Sequence, residues 1–288
     1  HKLEDVVALC DRVTVLRLGM VTGDAQAPFQ VPRLLEMMFD EPPKSGTRPE
    51  VVDRGEPLLS FDRVSADGER TGLSDCSLTI HRKEVVGLAG LSGSGQGLFL
   101  RLAAGLDRPT RGRVQALGDA PGKRGHKGFR QAGGSFLPAD RLEEGLIPGF
   151  TVQDHFALAH NCGMATAKVL AAEAISQFRI RGHPHTPAES LSGGNQQRLL
   201  LSLIPPDATL ILLENPTRGL DMESARLIWK HLRRQFASRG TVVFSSAELD
   251  EILNIADRVL VFFDGRIVRD LPIGELDYQD VAAAMTGQ

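Results

Sequence analysis

Apolar and polar positions alternate over Leu58–Val64 and again over Leu73–Ile80, a pattern that predicts an edge strand and its hairpin partner. The next apolar stretch, Glu84–Gly90, is nearly continuous, as in a strand buried on both faces. It runs into Leu91-Ser92-Gly93-Ser94-Gly95-Gln96-Gly97 and then a helical run over Leu98–Leu106. Farther on, a strongly apolar helix over Leu199–Leu203 is opened by Leu191-Ser192-Gly193-Gly194-Asn195-Gln196-Gln197-Arg198.

One pattern occurs twice. His1–Val21 matches Ala247–Ile267 without a gap at a constant offset of 246, with identities at Leu3/Leu249, Asp11/Asp257, Arg12/Arg258, Val13/Val259, Val15/Val261 and Gly19/Gly265. Each copy reads as a short amphipathic helix, Asp-Arg, and an alternating strand closed by a glycine turn. A repeat as long as a domain predicts two copies of that domain. Residues 1–40 are then the tail of a first copy, 41–57 a linker of Pro-rich, mixed-charge composition, and 58–288 a second copy. The chain opens in mid-pattern on His1, so the first copy is expected to be truncated.

Composition changes this picture little. The 288 residues are 42% hydrophobic with a net charge of −3, which argues against a general affinity for nucleic acid or anionic lipid. No apolar run approaches the roughly 18 residues of a membrane helix. Cys10, Cys76 and Cys162 lack CxxC spacing and read as free thiols. The basic stretch Lys123–Arg130 reads as a solvated loop, and so does His183-Pro184-His185; Trp229 reads as a core residue.

Strand, glycine-rich loop and helix in succession are the layout of a phosphate-binding loop, in which backbone N–H groups and the helix N-terminus face an anion. Gly90 and Gly95 have the spacing of G-x-x-x-x-G-K-[ST], but Gln96 stands at the lysine position and Gly97 at the hydroxyl position. The cradle is kept and its charged and metal-binding side chains are not; a plain tight turn is the competing reading. At Ser192, an ordinary serine cap explains the hydroxyl but not the two glycines and the amide run after it. Small residues and exposed N–H groups there form a second phosphate-grasping surface.

Leu191–Arg198 resembles the signature sequence of ABC ATPases, in the Asn-Gln-Gln form of the importers of monosaccharides and nucleosides. In that order, Thr209–Asp221 resembles the Walker B strand and D-loop, Phe136-Leu137-Pro138-Ala139-Asp140-Arg141 the Q-loop region, and Val242–Glu251 the switch strand and loop. Phe150–His160 and Ala165–Phe178 fall in a helical subdomain of about 150–200 that ends in the signature. The resemblance implies a P-loop ABC cassette: a mixed α/β core with a β subdomain and an inserted helical subdomain. It further implies ATP and Mg2+ as cofactors, held by Gly90, Gly93, Ser94, Gly95, Gln96, Gly97, Ser192, Gly193, Gly194, Asn195, Gln196 and Asp221.

The departures all weaken hydrolysis. The family's lysine, metal-binding hydroxyl, metal-binding aspartate, catalytic glutamate and switch histidine correspond here to Gln96, Gly97, Glu214, Asn215 and Ala247. Losing the lysine alone removes bonds of about 1.5–3 kcal/mol, and losing the base about 10²–10⁴ in rate. Glu214 remains a weak metal ligand, and Ala139 replaces the usual amide or acid of the Q-loop. The chain alone is therefore expected to hydrolyse ATP poorly or not at all.

The signature is intact, and in the family it completes a site in trans. Ser192–Gln196 is expected to serve a hydrolytic site in the preceding cassette, where His1 aligns with the switch position. The resemblance implies an energising subunit for nucleoside (favoured over simple-sugar) import, peripheral at the cytoplasmic face of the plasma membrane. Its partners would be that first cassette, membrane permeases and, indirectly, an extracytoplasmic binding protein, with no nucleic acid. A nucleotide-binding regulatory cassette without turnover, and a non-transport ABC protein, are the alternatives.

Overall fold

The computed structural model of the chain describes residues 9–17, 20–30, 33–34, 37, 55–68, 70–118, 121–236, 240–275 and 278–287. His1, the helix of the first repeat copy and most of the 41–57 linker lie outside them. The chain divides into two units, His1–Glu50 and Val51–Gln288. In the first, β1 (Arg12–Arg17) and β2 (Met20–Gln26) form an antiparallel hairpin.

The second unit begins with β3 (Pro57–Ala66), β4 (Leu73–His81), β5 (Val85–Ala89), α1 (Gln96–Ala103), β6 (Arg111–Ala116), α2 (Pro121–Gln131) and β7 (Gly134–Leu137). Then come α3 (Val152–Ala159), α4 (Met164–Gln177) and α5 (Gly193–Ser202), followed by β8 (Leu210–Glu214) and α6 (Met222–Phe236). The run ends with β9 (Thr241–Ser245), α7 (Leu249–Ile255), β10 (Arg258–Phe263), β11 (Arg266–Pro272) and α8 (Tyr278–Met285). A six-stranded sheet of order β11-β10-β5-β9-β8-β7 is parallel except for its β11 edge.

The continuous apolar runs of this sheet bury both faces, as the period of two requires. Val86, Leu88, Leu210, Leu212, Val243, Leu260 and Phe262 join one core with α1 and the antiparallel sheet β4-β3-β6. Ile211, Leu213, Val242, Phe244, Val259 and Val261 join the other, with α5, α6 and the helices α3 and α4. Trp229 lies in this second core, tilted against Phe244 with ring centroids 4.6 Å apart.

Three local expectations are corrected. The strand expected at an edge, Leu58–Val64, is central, because β6 pairs with it from the far side through Leu59↔Ala116 and Phe61↔Val114. Only Val114 and Ala116 of β6 are buried, too few to announce a strand in the sequence. The basic stretch expected as a loop is part of α2, two helical turns meeting at a kink at Gly125. Proline suits its first position, and buried Phe129 anchors it. The helix after the glycine loop starts at Gln96, not Leu98, so Gln96 and Gly97 belong to its first turn. The expected loop at His183-Pro184-His185 is a turn in which His183 Nδ1 and Thr186 Oγ1 are 3.1 Å apart.

The repeat is reproduced in three dimensions. At the same offset, β1 and β2 coincide in sequence position with β10 and β11, down to the register shifts at Val15/Leu16 and Val261/Phe262. Arg12 pairs with Asp24 as Arg258 pairs with Asp270.

His155 is buried in α3, its Nε2 accepting from Ile147 N–H and its Nδ1 2.8 Å from Thr151 O. That geometry requires the neutral ring, and burial lowers its pKa below the ordinary 6.5. A histidine kept neutral by the fold stabilises it above the unfolded pKa, and that stabilisation is lost as pH falls below about 6.5. Urea midpoints are therefore expected to drop between pH 7.5 and 5.5. The drop should be smaller in His155→Gln, and an equal drop in both proteins would refute the assignment.

Candidate functional site

The sequence-derived residues fall into two groups. The first sits at the carboxyl ends of β5, β8 and β9, where parallel sheets place ligands. Gly90, Gly93 and Gly95 have φ of 154°, 89° and 115°, backbone that a side chain would strain. The turn closes through Ser94 N–H donating to Leu91 O at 3.0 Å, and Gly95 leads into α1. The buried Gln96 side chain folds back, with Nε2 donating to Leu91 O at 3.3 Å. It packs so closely that a Cβ at Gly90 would stand 2.4 Å from Nε2.

Glu214 ends β8, and its Oε2 accepts from Ala139 N–H at 3.1 Å. Its Oε1 lies on the Gly97 side, 2.8 Å from where a Cβ on residue 97 would be. Burial raises the Glu214 pKa, against the lowering effect of the Ala139 N–H and of Arg101. Arg101 is itself matched by Asp107 and Glu144, each at 2.9 Å. Asn215, in left-handed backbone, accepts at Oδ1 from Ala247 N–H at 3.1 Å. Asn215 and Ala247 are thus tied to each other by a neutral bond. The donor set suits magnesium, which takes hard oxygen ligands and commonly uses one or two carboxylates beside phosphates and water. Glu214 is the residue that would hold it.

The second group surrounds the start of α5. Ser192 precedes the helix without capping it, its Oγ instead accepting from Asn195 Nδ2 at 2.7 Å. Asn195 Oδ1 accepts from Arg181 N–H, and Gln196 Nε2 donates to Ala188 O. The side chains of Asn195 and Gln196 are therefore buried and committed within the protein, and Ser192, Gly193 and Gly194 form the helix opening. Asp221 is committed too: both its oxygens accept from Ser224, whose hydroxyl bond is the main cause of its lowered pKa. It acts as the N-terminal cap of α6.

Two side chains gain contacts that their sequence stretches did not foretell. One is Arg141, whose Nε donates to Gln196 Oε1 at 3.2 Å and whose Nη2 would stand 2.7 Å from a Cβ on Gly193. The short segment Ala139–Arg141 thus bonds Glu214 at one end and the α5 opening at the other. The Q-loop resemblance covers Arg141 without giving it a role of its own. The other is Glu251, whose Oε1 accepts from Thr217 Oγ1 and Trp229 Nε1, tying the turn after β8 to α6 and α7. The switch-loop resemblance reaches Glu251 but does not foretell these bonds.

Residues 73–218 match the family described as ABC transporter. The ribose import ATP-binding protein RbsA of Corynebacterium glutamicum is 32% identical, covering 100% of this chain and 56% of its own length. The glucose import ATP-binding protein TsgD13 of Haloferax volcanii is 34% identical, covering 100% of this chain and 55% of its own. The chain spans about half the length of these curated relatives. Among solved structures, the ATP-binding subunit of an ABC transporter superposes with a TM-score of 0.68 at 20% identity, over 80% of this chain and 99% of that one. The ATP-binding cassette MJ0796 superposes with a TM-score of 0.66 at 22% identity, over 75% and 99%.

Proposed function

Because this chain belongs to the ABC transporter ATP-binding family, we propose that it is the second cassette of a two-cassette importer ATPase, preceded by the tail of the first. The relatives' names, ribose and glucose import, favour a simple sugar as cargo over a nucleoside. Its partners are then a first cassette, membrane permeases and an extracytoplasmic binding protein, at the cytoplasmic face of the plasma membrane. Among the described residues no helix is long and apolar enough to cross a membrane.

The observation that carries the mechanism is the contrast between the two groups. At the first, the glycine loop and the α1 N-terminus hold the phosphates of ATP, with Glu214 toward Mg2+, which supplies charge neutralisation there. Asn215 cannot take a proton from water as a carboxylate does, and its amide oxygen already holds Ala247 N–H. At the second, the start of α5 has no side-chain cap, so its first backbone N–H groups have no partner within the helix. Ser192, Gly193 and Gly194 complete a hydrolytic site whose phosphate loop belongs to the first cassette.

The test is ATP turnover by this chain alone and by the two-cassette protein. Turnover is expected only in the latter. Hydrolysis by the chain alone would show that Asn215 and Ala247 do not disable its site.

A further inference from the structure

Gly97 and Glu214 are two departures from the family's pattern that the structure turns into one. Gly97 lies in the first turn of α1, in helical backbone, where no left-handed φ calls for glycine. A helix prefers nearly any side chain but proline to glycine, so backbone preference does not explain it. Space does. A Cβ on residue 97 would meet Glu214 Oε1 at 2.8 Å, closer than side-chain carbons approach an oxygen. A serine at 97 would require the Glu214 carboxyl to shift; that carboxyl ends a flexible side chain, but its other oxygen is held by Ala139 N–H.

What fills the vacated space is an oxygen. Glutamate reaches one methylene farther than aspartate, and Ala139 N–H holds Oε2, leaving Oε1 on the Gly97 side. Local charge favours a cation there: the lysine position is the neutral Gln96, and Arg101 is engaged by two carboxylates. Magnesium accepts such a carboxylate oxygen directly beside phosphate and water.

We infer that Glu214 is a direct ligand of the nucleotide's magnesium, its Oε1 standing in for the hydroxyl that Gly97 lacks. The loss at 97 and the lengthening at 214 form a reciprocal exchange that relocates one donor oxygen. This cassette then remains a metal-dependent nucleotide site although it has lost its hydrolytic residues. The inference rests on reading Gly90–Gly97 as the ATP phosphate loop, and is independent of the role given to Ser192–Gly194 in trans.

The test is ATP binding to the 288-residue chain, by calorimetry, in Mg2+ and in EDTA. The unaltered chain should bind at least about tenfold tighter with Mg2+. Glu214→Gln should bring that ratio near one, and so should Glu214→Asp, which is too short to reach the space. The double variant Gly97→Ser with Glu214→Asp should restore the ratio, while Gly97→Ser alone lowers the melting temperature. Melting curves of all variants separate loss of the ligand from loss of the fold. A ratio near one in the unaltered chain, a full ratio in Glu214→Gln, or a double variant that stays near one would each overturn the exchange. Absence of ATP binding in both conditions would overturn it as well, while leaving the trans reading to stand or fall on turnover.

Discussion

Replacing Gly193 by alanine in the two-cassette protein is expected to lower ATP turnover by about 10²–10³-fold, the usual effect of removing one preorganised donor. The melting temperature should not move. The α5 opening offers N–H groups at close range only because residues 193 and 194 lack side chains. A Cβ on 193 would stand 2.7 Å from Arg141 Nη2. That atom ends a long side chain, so the guanidinium moves aside and the fold tolerates the change, but the surface proposed to meet phosphate is now occupied. Gln96→Ala should change turnover by less than about threefold, because on the proposed reading Gln96 belongs to a site without a catalytic base. Steady-state turnover of both variants decides it. Loss with Gln96→Ala and none with Gly193→Ala would reverse the assignment of the two sites.

The largest expected effect on stability is at Phe99. Its ring is fully buried, stacked on Phe61 at 4.3 Å and edge-on to Phe262 at 5.7 Å. It joins α1 to both the antiparallel sheet and the central sheet. Phe99→Ala should cost about 3–5 kcal/mol, from lost burial and the cavity left between three elements. Phe99→Leu, which keeps most of the volume, should cost less than about 1.5 kcal/mol. Urea unfolding at constant pH measures both. A loss under about 1 kcal/mol for the alanine would mean that α1 is not held by this contact. Because α1 carries Gln96 and Gly97 in its first turn, the destabilised variant should also bind ATP more weakly.

What the sequence alone determined here is local or self-repeating. The buried strand, glycine turn and helix from Val85 to Ala103 were legible because a change of period and the four glycines of Gly90–Gly97 mark them. The opening of α5 at Ser192 was legible because the Ser-Gly-Gly run and the apolar residues behind it lie within a few residues of one another. The strand and glycine turn at the front of the chain were legible because they have a copy in β10 and the turn after it; the structure adds the second strand, in the same register in both copies.

Tertiary structure decided the rest. β3 became central because β6, with two buried side chains, came to lie beside it. The stretch Lys123–Arg130 became helical with Phe129 buried as its anchor, although its composition reads as loop. The same holds at the site. Gly97 and Glu214 are far apart in sequence, and each by itself reads as a loss. Only the sheet, which brings the end of β8 beside the first turn of α1, makes them one contact. Periodicity reports which face of an element is buried. It carries no information on which side chain from a distant strand will meet that face, because sheet order and connection set that, and these exist only in the folded chain.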